Sequence, residues 1–85
     1  MRLRILYFAS LREALGLDRE ELDLPDHVLT AAALREHLHA RGGPWAQAFA
    51  PERTIRVAID QSLATQDARL HEGAELAFFP PVTGG

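Results

Sequence analysis

Apolar side chains recur along this chain in two rhythms, one of period two and one of helical period. Leu3-Arg4-Ile5-Leu6-Tyr7-Phe8-Ala9 is a run of strand-forming residues and predicts a mostly buried strand. Across Glu20 to Leu24, Leu22 and Leu24 alternate with acidic residues, which predicts a second strand ended by Pro25-Asp26. Thr54-Ile55-Arg56-Val57-Ala58-Ile59 alternates cleanly and predicts a third strand, turning at Asp60-Gln61. The turn residues Leu70-His71-Glu72-Gly73 lead into a last strand, about Glu75 to Phe79. Pro80-Pro81 must end it, because proline has no N–H to give a ladder and biases the residue before it towards extended geometry.

The helical rhythm is sustained once, over Ala31 to Arg41. Ala31, Leu34 and Leu38 fall on one face, with Glu36 and His39 opposite. Thr30 is the N-cap candidate, and Gly42-Gly43-Pro44 supplies the stop. Two shorter turns are also predicted. Ser10-Leu11-Arg12-Glu13 matches the S-x-x-E capping box, with Gly16 as a left-handed stop. Trp45 to Ala50 reads as one helical turn, and the stretch after Gln61 predicts no element.

The order strand, strand, helix, strand, strand predicts an α+β fold with one main helix on one face of a mixed sheet. If the first and last strands are central neighbours, the intervening crossover makes them parallel. That is the β-grasp, or ubiquitin-like, layout. Residues 1–79 would form this domain and residues 80–85 an extended tail, with no internal repeat.

Composition narrows the function classes. A chain of 85 residues buries roughly 60% of its extended surface, enough for one domain but not for a core plus a buried catalytic cleft. A formal charge of −3 argues against a general nucleic-acid binder, which usually carries a basic face. No apolar run approaches the ~20 residues that span a bilayer, and Met1-Arg2-Leu3-Arg4 lacks a signal-peptide core. No membrane partner and a cytoplasmic location are therefore expected. There is no cysteine, hence no thiol nucleophile. There is also no lysine, since all 9 basic residues are arginine, so the chain offers no lysine on which to build chains of itself.

The tail carries the candidate chemistry. After Glu75 no side chain through Leu76-Ala77-Phe78-Phe79-Pro80-Pro81-Val82-Thr83-Gly84-Gly85 is ionisable. One reading is a frayed terminus. The other is an apolar arm, stiffened by two prolines, that carries its carboxylate roughly 20 Å from Pro80 at ~3.3 Å per residue. Gly84 and Gly85 lack Cβ atoms, so they can pass a narrow channel and leave the terminal carbonyl open to attack. A carboxylate is a poor electrophile at neutral pH. A partner would have to activate it, most simply as an acyl-adenylate from ATP.

Other constellations are weaker. His37 and His39 are two apart on a predicted helix and point to different faces, so with His27 and His71 they read as solvated surface residues rather than metal ligands. Asp18, Glu20, Glu21, Asp23 and Asp26 read as a solvated edge that discourages sheet aggregation, or as a docking patch for a basic partner. Trp45 reads as core or lid. Phe78 and Phe79 point to opposite faces, so one should be core and the other an exposed interface anchor.

At this point a family becomes recognisable. The chain resembles the ubiquitin-like sulfur carriers that form the small subunit of molybdopterin synthase. The resemblance spans essentially the whole chain. It rests on Leu6-Tyr7-Phe8-Ala9 with Leu11-Arg12-Glu13, on Val57-Ala58-Ile59-Asp60-Gln61, and on the ending from Leu70 to Gly85. The two aromatics, two prolines and diglycine together make that ending specific. Ala74, at a position commonly acidic, and Asp60, often Asn in the family, are small departures confined to turns.

The resemblance implies a carrier that is no enzyme by itself and binds no cofactor. A ubiquitin-activating-like adenylyltransferase, using ATP and magnesium, would adenylate Gly85, and a sulfur donor protein would convert it to a thiocarboxylate. The tail would then enter the large synthase subunit, in a heterotetramer of two small and two large subunits, and deliver sulfur to the pterin precursor. Gly85 would be modified and Gly84 would give access. Phe78, Phe79, Pro80, Pro81, Val82 and Thr83 would fill the partner's groove. Arg12 would form partner salt bridges, pair locally with Glu13, or stay in solvent. Alternatives are a related carrier for thiamine or transfer-RNA thiolation, a protein-conjugating modifier, or a stand-alone binding module.

Overall fold

The structure, a computed structural model, describes residues 1–81 of the chain. Its elements run β1 (Arg2–Tyr7), α1 (Ala9–Leu15), β2 (Arg19–Asp23), α2 (Ala31–His39), α3 (Gly43–Ala48), β3 (Arg56–Ile59), β4 (Ser62–Ala64) and β5 (Glu75–Phe79). The five strands form one sheet in the order β2-β1-β5-β3-β4. β1 and β5 lie side by side and parallel, with Leu6 beside Ala77, and the other neighbours are antiparallel. The first and last strands are thus the central pair, and the chain has the α+β β-grasp fold.

Strand alternation sends Leu3, Ile5 and Tyr7 of β1, Val57 of β3, and Leu76 and Phe78 of β5 to one side of the sheet, where all are buried. The buried stripe of α2, Ala31, Leu34 and Leu38, closes over them. Each fully buried large apolar side chain contributes roughly 1.5–3 kcal/mol, so this layer dominates the fold's stability. An aromatic chain continues it towards α3. Phe78 meets Phe49 edge-on at 5.3 Å, Phe49 stacks on Trp45 at 6.2 Å, and Trp45 meets Tyr7 edge-on at 5.5 Å.

Helix ends show where local signals prevailed and where they did not. Thr30 caps α2 as its sequence predicts, its hydroxyl oxygen accepting the Ala33 N–H at 3.1 Å. Two further first-turn donors are satisfied from outside the helix, Ala31 N–H by the Ala68 carbonyl and Ala32 N–H by that of Gln66. The helix stops at His39 rather than Arg41. Arg41 and Gly42 instead donate to the carbonyls three residues back, a tightened final turn. Gly42, at φ 75 and ψ −172, then redirects the chain into α3, where Pro44 sits in the first turn.

The capping box at Ser10 does not form. The N-cap of α1 is Phe8, with no side-chain cap, and Ser10 lies inside the helix. The sheet is the reason. Tyr7 N–H donates to the Asp18 carbonyl at 2.8 Å and Phe8 N–H to that of Phe78 at 3.2 Å, so strand pairing holds the chain through Phe8. The helical turn then starts at once, and Ala9 takes a left-handed φ of 53. Gly16 does supply the left-handed stop, at φ 66.

The stretch after Gln61 contains β4, an element the sequence pattern did not predict. Asp60 and Gln61 both have positive φ, 50 and 71, and Ile59 pairs with Ser62. This is the two-residue hairpin whose twist matches that of the flanking strands.

Candidate functional site

The face of the sheet turned away from α2 is the open one, and strand register assembles it in rows. Arg19 of β2, Leu6 of β1, Ala77 of β5, Ala58 of β3 and Leu63 of β4 lie side by side across all five strands. In the next row towards the end of β5, Phe79 pairs with Arg56. Phe8 extends β1 beside them, its backbone still extended at φ −119 and ψ 156. The middle of this face is apolar. Phe8 is 44% exposed and Leu63 72%, while Leu6, Ala58, Ala77 and Phe79 are half-buried. Alanine at the two central positions leaves the patch shallow between the larger residues.

β5 leads directly from this patch into the tail. It lies between β1 and β3, so its C-terminal end is clamped on both sides up to Phe79. Pro80 and Pro81, both half-buried, follow where the ladder stops. Val82, Thr83, Gly84 and Gly85 lie outside the described residues. Arg12 is exposed on α1, which begins at the same end of the sheet. Neither Glu13 nor any other acidic side chain among the described residues pairs with it.

Phe78 requires a correction. It was expected to fill a partner's groove, but it is fully buried and packs against Phe49. Its ring anchors β5 in the core and is unavailable to a partner. Phe79 is the outward-facing member of the pair. The two aromatics therefore divide the work of holding the strand and presenting a surface.

The acidic cluster is largely neutralised within the chain. Arg2 bridges Glu21 at 2.8 Å and Asp23 at 3.0 Å on the open face. Glu20 points to the other face, where Arg41 forks its carboxylate at 2.9 and 3.1 Å. The Tyr7 hydroxyl donates to the same carboxylate at 2.9 Å. Burial first, then this hydrogen bond and the Glu20 charge, push the Tyr7 phenol far above its ordinary value. The phenol stays protonated and is a structural donor, not an acid. Arg41 also lies over the Trp45 ring, 4.3 Å from its centroid. Trp45 is thus a lid over the aromatic core.

A second polar cluster stands where β5 begins. Asp60 Oδ1 accepts the Glu75 N–H at 3.0 Å, and Asp60 Oδ2 lies 2.8 Å from His71 Nε2. Glu75 N–H, then His71, hold the Asp60 carboxyl below its ordinary value. Asp60, then the Glu72 carbonyl, raise His71. Among the described residues, no three His, Cys, Asp or Glu side chains come together to hold a metal. No helix there is long and apolar enough to cross a membrane.

Sequence reasoning missed Phe8 and Leu63 as surface residues. Leu63 follows a two-residue turn, so its pairing with Ala58 was the available signal. For Phe8 the signal was alternation from Leu6.

The ThiS family pattern matches residues 5–85. The molybdopterin synthase sulfur carrier subunit of Haemophilus influenzae is 45% identical over 83 residues, covering 98% of this chain and 99% of that protein. Its Escherichia coli counterpart is 41% identical over 85 residues, again covering 98% and 99%. In fold, the chain is similar to a solved protein–protein complex of subunits 1 and 2 of molybdopterin-converting factor from Helicobacter pylori. The TM-score is 0.65 at 17% identity, over 100% of both chains. With relatives this close over nearly its whole length, the chain belongs to the ThiS family of sulfur carriers.

Proposed function

We propose that this chain is the sulfur carrier subunit of a molybdopterin synthase. The observation that carries the reading is the placement of β5. A central strand, anchored inside by Phe78, delivers Pro80 and Pro81 at the margin of an apolar patch made by Phe8, Leu63 and Phe79. The names of the two close relatives support it. The Helicobacter pylori chain that shares the fold was solved together with its subunit 2.

In this reading the patch docks on a large subunit, in a heterotetramer of two small and two large chains, while the tail reaches the reacting centre. An adenylyltransferase, with ATP and magnesium, joins AMP to the Gly85 carboxylate and releases pyrophosphate. A sulfur donor displaces AMP and leaves a thiocarboxylate. The thiocarboxylate sulfur bonds to the pterin precursor, and water then cleaves the acyl–sulfur bond, which leaves the sulfur on the pterin and Gly85 as a carboxylate. Gly84 gives access to the carbonyl. Phe79, Pro80, Pro81, Val82 and Thr83 line the partner's groove, and Arg12 adds a charged contact. This chain supplies the acyl group and its delivery, and the catalytic pocket belongs to the large subunit.

Intact-protein mass spectrometry tests the reading after incubation with the activating enzyme, ATP, magnesium and a sulfur source. Exchange of one oxygen for sulfur at Gly85 is expected. An unshifted mass with competent components rules the reading out. A variant extended by one residue beyond Gly85 should stay folded and accept no sulfur.

A further inference from the structure

The open face of the sheet is divided along its length by charge. In the half nearest the start of β1, the arginines are paired with carboxylates of the same chain. Arg2 bridges Glu21 and Asp23, and Arg4 lies 3.6 Å from Glu75. In the half nearest the tail, the only charged side chains among the described residues that register places beside the apolar patch are Arg19 and Arg56. Both are exposed, and neither forms an ion pair among the described residues. Arg19 sits beside Leu6 at the β2 margin, and Arg56 sits beside Phe79 on β3. Three strand spacings of about 4.8 Å and one row along the strands put them about 16 Å apart, Arg19 at the β2 margin of the patch and Arg56 on its tail-side border between Phe79 and the strand that carries Leu63.

A formal charge of −3 makes this local balance unexpected. The chain pairs Arg2, Arg4 and Arg41 with its own carboxylates, yet leaves two arginines free of ion pairs among the described residues beside its most apolar surface. Arginine holds its charge at any working pH, and its planar fork matches carboxylates.

We infer that Arg19 and Arg56 are a pair of charge clamps that orient the carrier on its large subunit, whose contacting surface carries carboxylates at two matching points around an apolar projection. The inference rests on the proposed carrier function and adds the chemistry of the partner's surface. The apolar patch supplies contact area that is tolerant of rotation. Two charges about 16 Å apart, at two different borders of the patch, fix one orientation, and so aim the tail. They also speed encounter with an acidic surface.

The test is calorimetric and kinetic binding of the full chain to the large subunit of the same organism, at low and high salt. Wild type should lose affinity as salt rises. Arg19→Glu and Arg56→Glu should each weaken binding roughly tenfold, mostly through the association rate. Arg19→Gln and Arg56→Gln together should flatten the salt dependence. Arg69→Glu carries the same charge change but pairs with Thr30 ahead of α2, away from this face, and should bind like wild type. Thermal melts of each variant establish that it is folded. Reversal variants that bind as wild type overturn the clamp and leave the carrier reading standing, and tighter binding by them would show a basic partner surface instead. If wild type forms no complex with the large subunit, both proposals fail.

Discussion

Tyr7 donates its hydroxyl to Glu20 Oε2 across 2.9 Å, a polar contact at the rim of an otherwise apolar core. The carboxylate is held from the other side by Arg41, which in turn covers Trp45. β1, β2, the end of α2 and the start of α3 thus meet at one carboxylate. Removing the hydroxyl leaves the Arg41 fork in place, whereas removing the carboxylate strands two donors. Tyr7→Phe should therefore cost about 1 kcal/mol, and Glu20→Ala about 2 kcal/mol or more. Urea unfolding of the two single variants and the double variant checks this, and strictly additive losses would show that the contacts are not coupled.

Phe78 and Phe79 should separate stability from recognition. Phe78→Ala opens a cavity beneath β5 and should cost about 3–5 kcal/mol. Phe79→Ala removes a half-buried ring from the open face and should cost under about 1.5 kcal/mol, yet weaken capture by the large subunit. Equal losses of stability in the two variants would contradict the division of labour.

The Asp60–His71 pair gives stability a pH dependence with a definite sign. His71 is raised from 6.5 by its hydrogen bond to Asp60, so its contribution is full below 6.5 and is lost as pH rises through the raised value. Asp60 is lowered from 3.8 by the Glu75 N–H and His71, so its contribution is full above 3.8 and is lost as pH falls through the lowered value. Both act fully between 3.8 and 6.5. The urea midpoint of wild type should exceed that of Asp60→Asn most within this window. A difference that is flat with pH would remove the pair from the account.

Four of the five strands and the main helix were legible because each carries its own periodic pattern. β4 was not, because its three residues bury no side chain and form a strand only by pairing with β3. Thr30 was readable as a cap because its partner lies three residues away. Ser10 was misread because the register of β1 against β5, set far along the chain, decides where α1 begins. The same limit applies at the site. The tail is a linear feature and shows in the sequence. The alternation of Phe78 and Phe79 shows that one is core, but only the assembled sheet shows which. The free arginines beside the patch are a property of rows across strands, and no local window contains them.

Ala9 stores strain that a single substitution should relieve. It opens α1 at φ 53, a region that costs an L-residue roughly 1–2 kcal/mol, and its side chain is exposed. Ala9→Gly loses little packing but gains unfolded-state freedom, so the net gain should be about 0.5–1 kcal/mol. A higher melting temperature with unchanged sulfur loading is the expected result, and a destabilised variant would mean the backbone there is not strained.

Leu63 is the sharpest test of the open face as an interface. At 72% exposed it contributes little to the core, so Leu63→Asp should shift stability by no more than about 0.5 kcal/mol. In a docked complex the same change would bury a carboxylate against apolar surface within the contact. Without a partner for that charge, the loss should be at least a hundredfold in affinity, by roughly 3 kcal/mol. The change lies on β4, in the row containing Ala58 and Ala77, and leaves the tail untouched. A Leu63→Asp chain that unfolds like wild type but no longer binds the large subunit would place the interface on the sheet. One that binds normally would confine recognition to the tail alone.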